Sequence, residues 1–324
     1  MIRKIALSGF GAIAENAHLP VLAEKGVSVE AVHEPSPIRG EAARRCAPKA
    51  RVYANLEELL ACEKSLDAVV VCSPPKYHAD AVVKSLAAGF HVLCEKPLTL
   101  DLDAFKAIEA AAKASRKAVW SINNWAYSPQ WSALLKLVAD GRLGKIRSAR
   151  IEVLRTKPSV SALPGDWRKD PAVSGGGILV DHGWHNLYLL RGLLGETLEL
   201  VETRLQPLGL VDEEADLLLR SEGAEGRLHM TWRAKSRANT AFVAGEKGTA
   251  SLEDDRLVVK AGGREETLSF PEKLSAGSAH PEWLAAMWPA FEDACARGAG
   301  NLDEAAFCLR TIRAAYGAPE AAAR

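Results

Sequence analysis

The sequence predicts an α/β protein in two parts, a doubly wound parallel sheet followed by an α+β domain with a mostly antiparallel sheet. Three observations predict it. The first 120 or so residues alternate short apolar runs with stretches of helical periodicity, the pattern of strands joined by crossover helices. The run Ala68-Val69-Val70-Val71 is apolar at every position, as a strand buried on both faces requires. Beyond about Trp125 the strand candidates become longer and alternate in polarity, the mark of strands with one face in a core.

In the first part, strands are expected at Lys4–Ser8, Val29–His33, Ala68–Cys72, His91–Cys94 and Ala118–Ile122. Helices rich in Ala, Leu, Glu and Lys fall between them, at Asn55–Ala61, Ala79–Ala88 and Leu102–Ala114. Ser128-Pro129 opens a helix that runs to about Ala139 and stops at Asp140-Gly141. Strands follow at Lys145–Arg155, Thr197–Leu205, Asp216–Ser221, Gly226–Trp232, Thr240–Ala244 and Arg256–Val259, interrupted by a helix over Leu179–Leu194. Gly245-Glu246-Lys247-Gly248 and Ala261-Gly262-Gly263 have the composition of hairpin turns. From Ala279 onward the pattern is helical again. These changes divide the chain into residues 1–124 and 125–324.

Lys plus Arg and Asp plus Glu both number 41 in the 324 residues, so the formal net charge is zero. Interspersed charges without a basic stripe leave no footprint for nucleic acid or an anionic membrane, and neither partner is expected. No apolar run approaches the roughly 20 residues of a membrane span. The N-terminal apolar stretch is too short for a signal peptide, and the six cysteines are scattered without a Cys-x-x-Cys pair, so a reducing, cytoplasmic setting is expected.

Gly9-Phe10-Gly11-Ala12-Ile13-Ala14 follows a strand and precedes a helix, the context of a dinucleotide-binding turn. Gly9 permits the tight turn, Gly11 lets a pyrophosphate approach the backbone, and Ala14 lets helix and strand pack closely. The free N–H groups of the helix start then hold the diphosphate. Glu34 ends the second strand roughly 20 residues further on, where a carboxylate accepts hydrogen bonds from the adenosine ribose and repels a 2′-phosphate. NAD is therefore the expected cofactor. Arg39, with Arg44 and Arg45 beyond it, keeps NADP open.

The run Val70-Val71-Cys72-Ser73-Pro74-Pro75-Lys76-Tyr77-His78, then Gly89-Phe90-His91-Val92-Leu93-Cys94-Glu95-Lys96-Pro97, closely resembles the glucose–fructose oxidoreductase and inositol dehydrogenase (Gfo/Idh/MocA) family. Gly175-Gly176-Gly177-Ile178-Leu179-Val180-Asp181-His182-Gly183-Trp184-His185 is similar to that family's glycine-rich segment with its Asp and His, and Leu143-Gly144-Lys145-Ile146 fits the entry to its second domain. The resemblance implies a Rossmann domain, then a domain with an open-faced sheet, with the active site in the cleft between them. It implies oxidation of a secondary alcohol, or reduction of a ketone, on a sugar, polyol or similar small molecule. A homodimer or homotetramer is the assembly it implies.

By the same resemblance Lys96, Asp181 and His185 are the catalytic residues. Such chemistry needs a group to take the hydroxyl proton and a positive charge or donor for the oxygen. His185, with an unperturbed pKa near 6.5, is expected as general acid/base, and Lys96 as the group that polarises the oxygen. Asp181, one helical turn before His185, either binds substrate or orients the imidazole. Pro97 is expected to follow a cis peptide bond that aims Lys96 into the cleft. Ser73 and Pro74 are expected to line the nicotinamide ribose, with Glu95 and His78 near the cofactor, Asn124 on the nicotinamide side, and Trp167-Arg168 reaching over from the second domain. Asp181, His182 and His185 lack a further ligand cluster, so no metal is expected.

Two departures from the family pattern bear on the substrate. Asn124-Trp125-Ala126-Tyr127-Ser128-Pro129 lacks the arginines common at the entry to the second domain, and Tyr188 stands where many sugar-acting members carry an aspartate. Both changes are expected to replace charge by aromatic surface on the substrate side. Besides a dehydrogenase, two alternatives stay open: a redox-neutral epimerase or glycoside-cleaving enzyme with tightly held NAD, and a non-catalytic dinucleotide-binding regulator.

Overall fold

A computed structural model describes residues 1–158, 170–207, 211–277 and 279–317. Among these, the first domain contains β1 (Lys4–Ser8), α1 (Leu19–Glu24), β2 (Ser28–His33), α2 (Pro37–Cys46), β3 (Arg51–Tyr53), α3 (Leu56–Cys62), β4 (Ala68–Val71), α4 (His78–Ala87), β5 (His91–Cys94), α5 (Leu102–Ser115) and β6 (Val119–Ser121). The strands are all parallel, in the order β3-β2-β1-β4-β5-β6. The chain therefore winds outward from β1 in one direction, then returns to wind outward in the other. The crevice where the order reverses, beyond the carboxyl ends of β1 and β4, is where such sheets bind ligands. Every residue of β4 is buried, as its unbroken apolar run requires. The three-residue β3 gives no periodicity to detect, and it adds an edge strand that the sequence pattern does not announce.

The second domain begins with α6 (Pro129–Ala139) and β7 (Ile146–Leu154), followed by α7 (Pro171–Ser174) and α8 (Trp184–Leu194). Seven further strands complete it: β8 (Glu199–Pro207), β9 (Asp212–Ser221), β10 (Ala224–Thr231), β11 (Ala238–Gly245), β12 (Gly248–Glu253), β13 (Arg256–Ala261) and β14 (Arg264–Ser269). The sheet order is β14-β13-β12-β11-β7-β10-β9-β8, antiparallel except between β7 and β10. Alternate residues Ala149, Ile151 and Val153 of β7, the strand that α8 packs on, are buried, as are their partners Ala241 and Val243 of β11, while Arg150 and Phe242 face outward. This one-sided burial is the open face. The edge strand β14 is exposed at every residue, which is why Arg264–Ser269 carries no amphipathic signal.

The helix expected over Leu179–Leu194 starts as a π-helical turn, Leu179–Gly183, that runs into α8. The last two helices, α9 (Pro281–Arg297) and α10 (Leu302–Ala315), tie the domains together. Leu284, Met287, Trp288 and Phe291 of α9 pack with Ile2, Ile5 and Leu7 in the core of the first domain. The Asn301 side chain accepts from the Ser121 amide (2.8 Å) and donates to the Ser121 carbonyl (2.9 Å), occupying the open edge of β6 as a further strand would. None of the described helices is long and apolar enough to cross a membrane. All six cysteines are free thiols.

Candidate active site

A cleft of about 980 Å³ runs between the domains over the carboxyl ends of β1, β4 and β5. The glycine turn forms one end. Gly9 has φ 96°, and a Cβ there would lie 2.6 Å from the backbone nitrogen of Ser73, so only glycine brings the turn this close to the chain leaving β4. A Cβ on Gly11 would meet no protein atom within 4 Å. That open volume faces the start of the helix at Ala12 and Ile13, and it suits a diphosphate on unpaired backbone N–H groups.

Glu34 stands at the end of β2, with Oε2 accepting from the Phe10 amide (2.7 Å) and Oε1 from the Ser36 amide (2.8 Å). Both oxygens keep a lone pair for a ribose hydroxyl. Arg39, which the sequence left as a possible 2′-phosphate partner, is already engaged. Its Nε donates to the Phe10 carbonyl (2.7 Å), and Nη2 pairs with Glu15 (2.7 Å) while the guanidinium lies 5.7 Å from the Phe10 ring centroid.

Ser73, Pro74, Glu95, Lys96 and Asn124 all line the cleft. Among the described residues, the Ser73 hydroxyl and Asn124 Oδ1 are buried without a hydrogen-bond partner, as groups that pair with a bound nicotinamide ribose or amide would be. The residues present fit a dinucleotide. His78 departs from expectation. It is buried away from the cleft lining, with Nδ1 2.7 Å from the Pro97 carbonyl and Nε2 2.7 Å from the Ser73 carbonyl, and it fastens the two cofactor-side loops to each other. Trp167 and Arg168 lie outside the described residues. Behind Glu95, the buried His18 contributes Nε2 at 2.9 Å from Oε1. Burial opposes charge on His18, but Cys72 and Glu95 outweigh it and raise the pKa to about 10.

The Lys96–Pro97 bond is cis, as expected. Lys96 Nζ donates to the Asp181 carbonyl (2.5 Å) and to Asp181 Oδ1 (3.1 Å). Asp181 thus pairs with the lysine, and the imidazole of His185 contacts a different group. His185 Nδ1 lies 2.9 Å from the Tyr188 hydroxyl, which also accepts from the Trp125 amide (3.2 Å). Tyr188 is buried and absent from the cleft lining, so it adds no aromatic surface for substrate. The Trp125 ring stacks on His185 at 5.0 Å and 16°.

Burial holds the pKa of His185 well below its ordinary value, and the charge on Lys96 adds to this. His182 is pushed down to about 3, first by burial, against the opposing pull of Asp181. Burial pushes the Tyr188 phenol well above 10, so it remains a proton donor. With the Tyr188 oxygen accepting from Trp125, its single proton goes to His185 Nδ1. The neutral imidazole is therefore assigned as the Nε2–H tautomer, with Nε2 the ring nitrogen left for the cleft that His185 lines.

The triple glycine explains how Asp181 and His185 reach this wall. Asp212 on β9 accepts from the Gly177 amide (2.7 Å) and the Leu179 amide (2.9 Å), and Tyr316, just past the end of α10, donates to it (2.5 Å). A Cβ on Gly177 would sit 1.8 Å from the Asp212 carbonyl oxygen. Four lining residues, Arg155, Trp232, Arg237 and His280, escaped the sequence reading. They lie just beyond strand ends or in loops, where no periodicity or spacing marks them.

Residues 3–122 match the model of an oxidoreductase family with an NAD-binding Rossmann fold, and residues 131–251 match the GFO/IDH/MocA C-terminal domain. The chain belongs to the Gfo/Idh/MocA oxidoreductase family. Its first domain is the family's NAD-binding Rossmann domain. Inositol 2-dehydrogenase of Rhizobium meliloti is 28% identical over 202 residues, 60% of this chain and 59% of that protein. Inositol 2-dehydrogenase of Corynebacterium glutamicum is 32% identical over 136 residues, 42% of this chain and 40% of that protein. The matches thus span about two fifths to three fifths of these relatives' lengths. The fold of this Gfo/Idh/MocA member is also that of levoglucosan dehydrogenase in complex with NADH and levoglucosan (TM-score 0.83, 21% identity, 98% of each chain). KijD10, a 3-ketoreductase from Actinomadura kijaniata in complex with NADP, shares it too (TM-score 0.80, 23% identity, 96% of this chain and 95% of that one).

Proposed function

We propose that this protein is an NAD-dependent oxidoreductase that interconverts a secondary alcohol and a ketone on a sugar, polyol or related small molecule. The observation that carries the proposal is the meeting of Lys96 and His185 on one wall of the cleft that the glycine turn opens. The inositol dehydrogenases among the relatives act on a polyol, which agrees with it.

Bound in the cleft, the nicotinamide supplies or accepts the hydride, and the chain's residues manage the proton and the charge. A substrate oxygen at this wall meets two donors, the Lys96 ammonium and the His185 Nε2–H. Two donors stabilise an oxygen that gains negative charge. In this proposal Lys96 carries the proton, delivering it to the oxygen during reduction and removing it, once deprotonated, during oxidation. The acid/base role expected of His185 passes to Lys96 because Tyr188 occupies Nδ1 and burial disfavours the imidazolium. Asp181 holds the Lys96 ammonium in place. Glu34 selects NAD by facing the adenosine ribose with a carboxylate, while Arg39 is spent on Phe10 and Glu15. Association into a homodimer or homotetramer through the outer sheet face, where Phe242 is exposed, and a cytoplasmic location complete the proposal.

The test is a screen of sugars, polyols and keto-sugars with NAD(H), following the absorbance of the reduced nicotinamide. Stoichiometric NADH formation supports the proposal. Product formation with retained, unchanged cofactor would instead favour a redox-neutral enzyme, and binding of NAD without turnover of any compound would favour a regulator.

A further inference from the structure

The cleft wall opposite the dinucleotide half is cationic. Among the described residues, the second domain presents Arg155, Lys157 and Arg237 there, with Asp181 as its carboxylate, and Lys96 already pairs with Asp181. Arg155 is built into the protein and is only 4% exposed. Its Nη1 donates to the carbonyls of Leu154 (2.8 Å) and Ala238 (3.2 Å), and Nη2 donates to Asn239 Oδ1 (3.0 Å). All three acceptors are neutral. Its guanidinium carbon lies 6.0 Å from the Trp125 ring centroid, on the ring that also stacks against His185.

No ion pair within 4.0 Å joins Arg155 to a carboxylate of the described residues. The nearby Asp254 is occupied by the Asn239 amide (3.1 Å), the Ser275 amide (3.0 Å) and the Ser275 hydroxyl (2.9 Å). Burial, with a smaller contribution from Arg237, lowers the Arg155 pKa to about 10 against the pull of Asp254 and Asp181, so the group stays charged at neutral pH. Arg155 and Arg237 both disfavour charge on His182 and on His280. Both arginines line the cleft with Asp181, His182 and His280, and Arg237 Nη2 donates to the neutral Gly277 carbonyl (2.8 Å). A buried cation without a close counter-ion weakens the fold, and it is of use where a ligand brings the anion. A guanidinium suits a carboxylate or phosphate because its planar fork makes two parallel hydrogen bonds.

Resting on the oxidoreductase proposal above, we propose that the substrate is an anionic sugar whose carboxylate or phosphate is received by Arg155 and Arg237 while its reacting carbinol lies at Lys96 and His185. The charge that the sequence removes from the Asn124–Pro129 segment is replaced, from a different element, by these two arginines.

The experiment compares compounds matched except in charge, with NAD and the full-length protein: D-glucuronate and D-glucose 6-phosphate against D-glucose, and D-galacturonate against D-galactose. Turnover is read by nicotinamide absorbance and binding by calorimetry. The expected result is a kcat/KM at least tenfold higher for an anionic member than for its neutral partner. Whether the carboxylate or the phosphate wins identifies the group. In Arg155→Met, Arg155→Lys and Arg237→Met the anionic-to-neutral ratio falls by about tenfold to a hundredfold, the usual effect of losing a charged hydrogen bond. NADH binding serves as the check on folding, and Arg237→Met, at an exposed position, remains readable if Arg155→Met does not fold. Equal or better use of the neutral partner, or a ratio unchanged in Arg237→Met and Arg155→Lys, overturns this inference and leaves the oxidoreductase proposal standing. Neither binding nor turnover of any member overturns both.

Discussion

The Tyr188 hydroxyl lies 2.9 Å from Nδ1 of His185, one turn earlier on the same helix. Positions three apart on a helix are neighbours, so the residue that sets the imidazole tautomer is encoded next to it. The Trp125 amide completes the chain by donating to the phenol. Tyr188→Phe removes the bond and frees the ring to adopt the other tautomer. We predict a fall in kcat of about tenfold to a hundredfold, and a stability loss of about 1–3 kcal/mol from the buried groups left unpaired. Lys96→Met removes the proton carrier itself, and kcat is predicted to fall by about 10² or more. Steady-state kinetics and thermal melts check both.

Gly9 and Gly11 are predicted to respond differently to alanine. At Gly9 the left-handed φ and the contact with Ser73 make the substitution strained, so Gly9→Ala should lower stability by about 1–3 kcal/mol and also abolish NADH binding. At Gly11 a methyl group meets no protein atom. Gly11→Ala should melt within about 2 °C of the parent while NADH affinity drops by about tenfold or more, because the methyl group fills the diphosphate volume. Differential scanning fluorimetry and NADH fluorescence titration separate the two effects.

Glu34→Gln keeps an acceptor for the Phe10 amide but removes the charge that repels a 2′-phosphate. The prediction is a rise of about tenfold in NADH Kd, with NADPH gaining relative to it. Equal loss for both cofactors would show that Glu34 serves the turn and not cofactor choice.

Stability is predicted to fall as pH drops below 6.5. His182 titrates at about 3 in the folded protein, against about 6.5 when unfolded, and His185 is lowered in the same direction, both mainly by burial. Between those values the unfolded chain binds the proton and the native state does not. The stabilisation from keeping these rings neutral is therefore fully present above 6.5 and is lost as pH falls toward 3. From His182 alone the loss between pH 7.5 and pH 5 is on the order of 2 kcal/mol. Urea unfolding at the two pH values measures it, and His182→Gln should flatten the dependence. An identical pH dependence in His182→Gln and the parent protein would show that burial does not lower the His182 pKa.

Much of the fold was legible because its signals are local. Ala68–Val71 can only be a strand buried on both sides, and the register of Lys4–Ser8 against the glycine turn marks the start of a dinucleotide fold. The short β3 and the polar β14 were not legible, since neither has an apolar face to betray it. For α9 the apolar stripe is plain in the sequence, but its destination, the core of the first domain, depends on the return path of the chain.

By itself, the sequence determined the two-sheet organisation, the glycine turn with Glu34, and the family motifs around Lys96, Asp181 and His185. These are contiguous segments, in which backbone geometry and nearby side chains dictate the outcome. Only the tertiary structure decided the partnerships: Asp181 with Lys96 across the cleft, Tyr188 with His185, Arg39 turned back to Glu15, His78 withdrawn from the cleft, and Arg155 buried at its far wall. Each depends on which groups face one another once two domains have closed on a common cleft. Hydrogen bonds and ion pairs form over about 3 Å, a distance that no spacing along the chain reports for residues on separate elements.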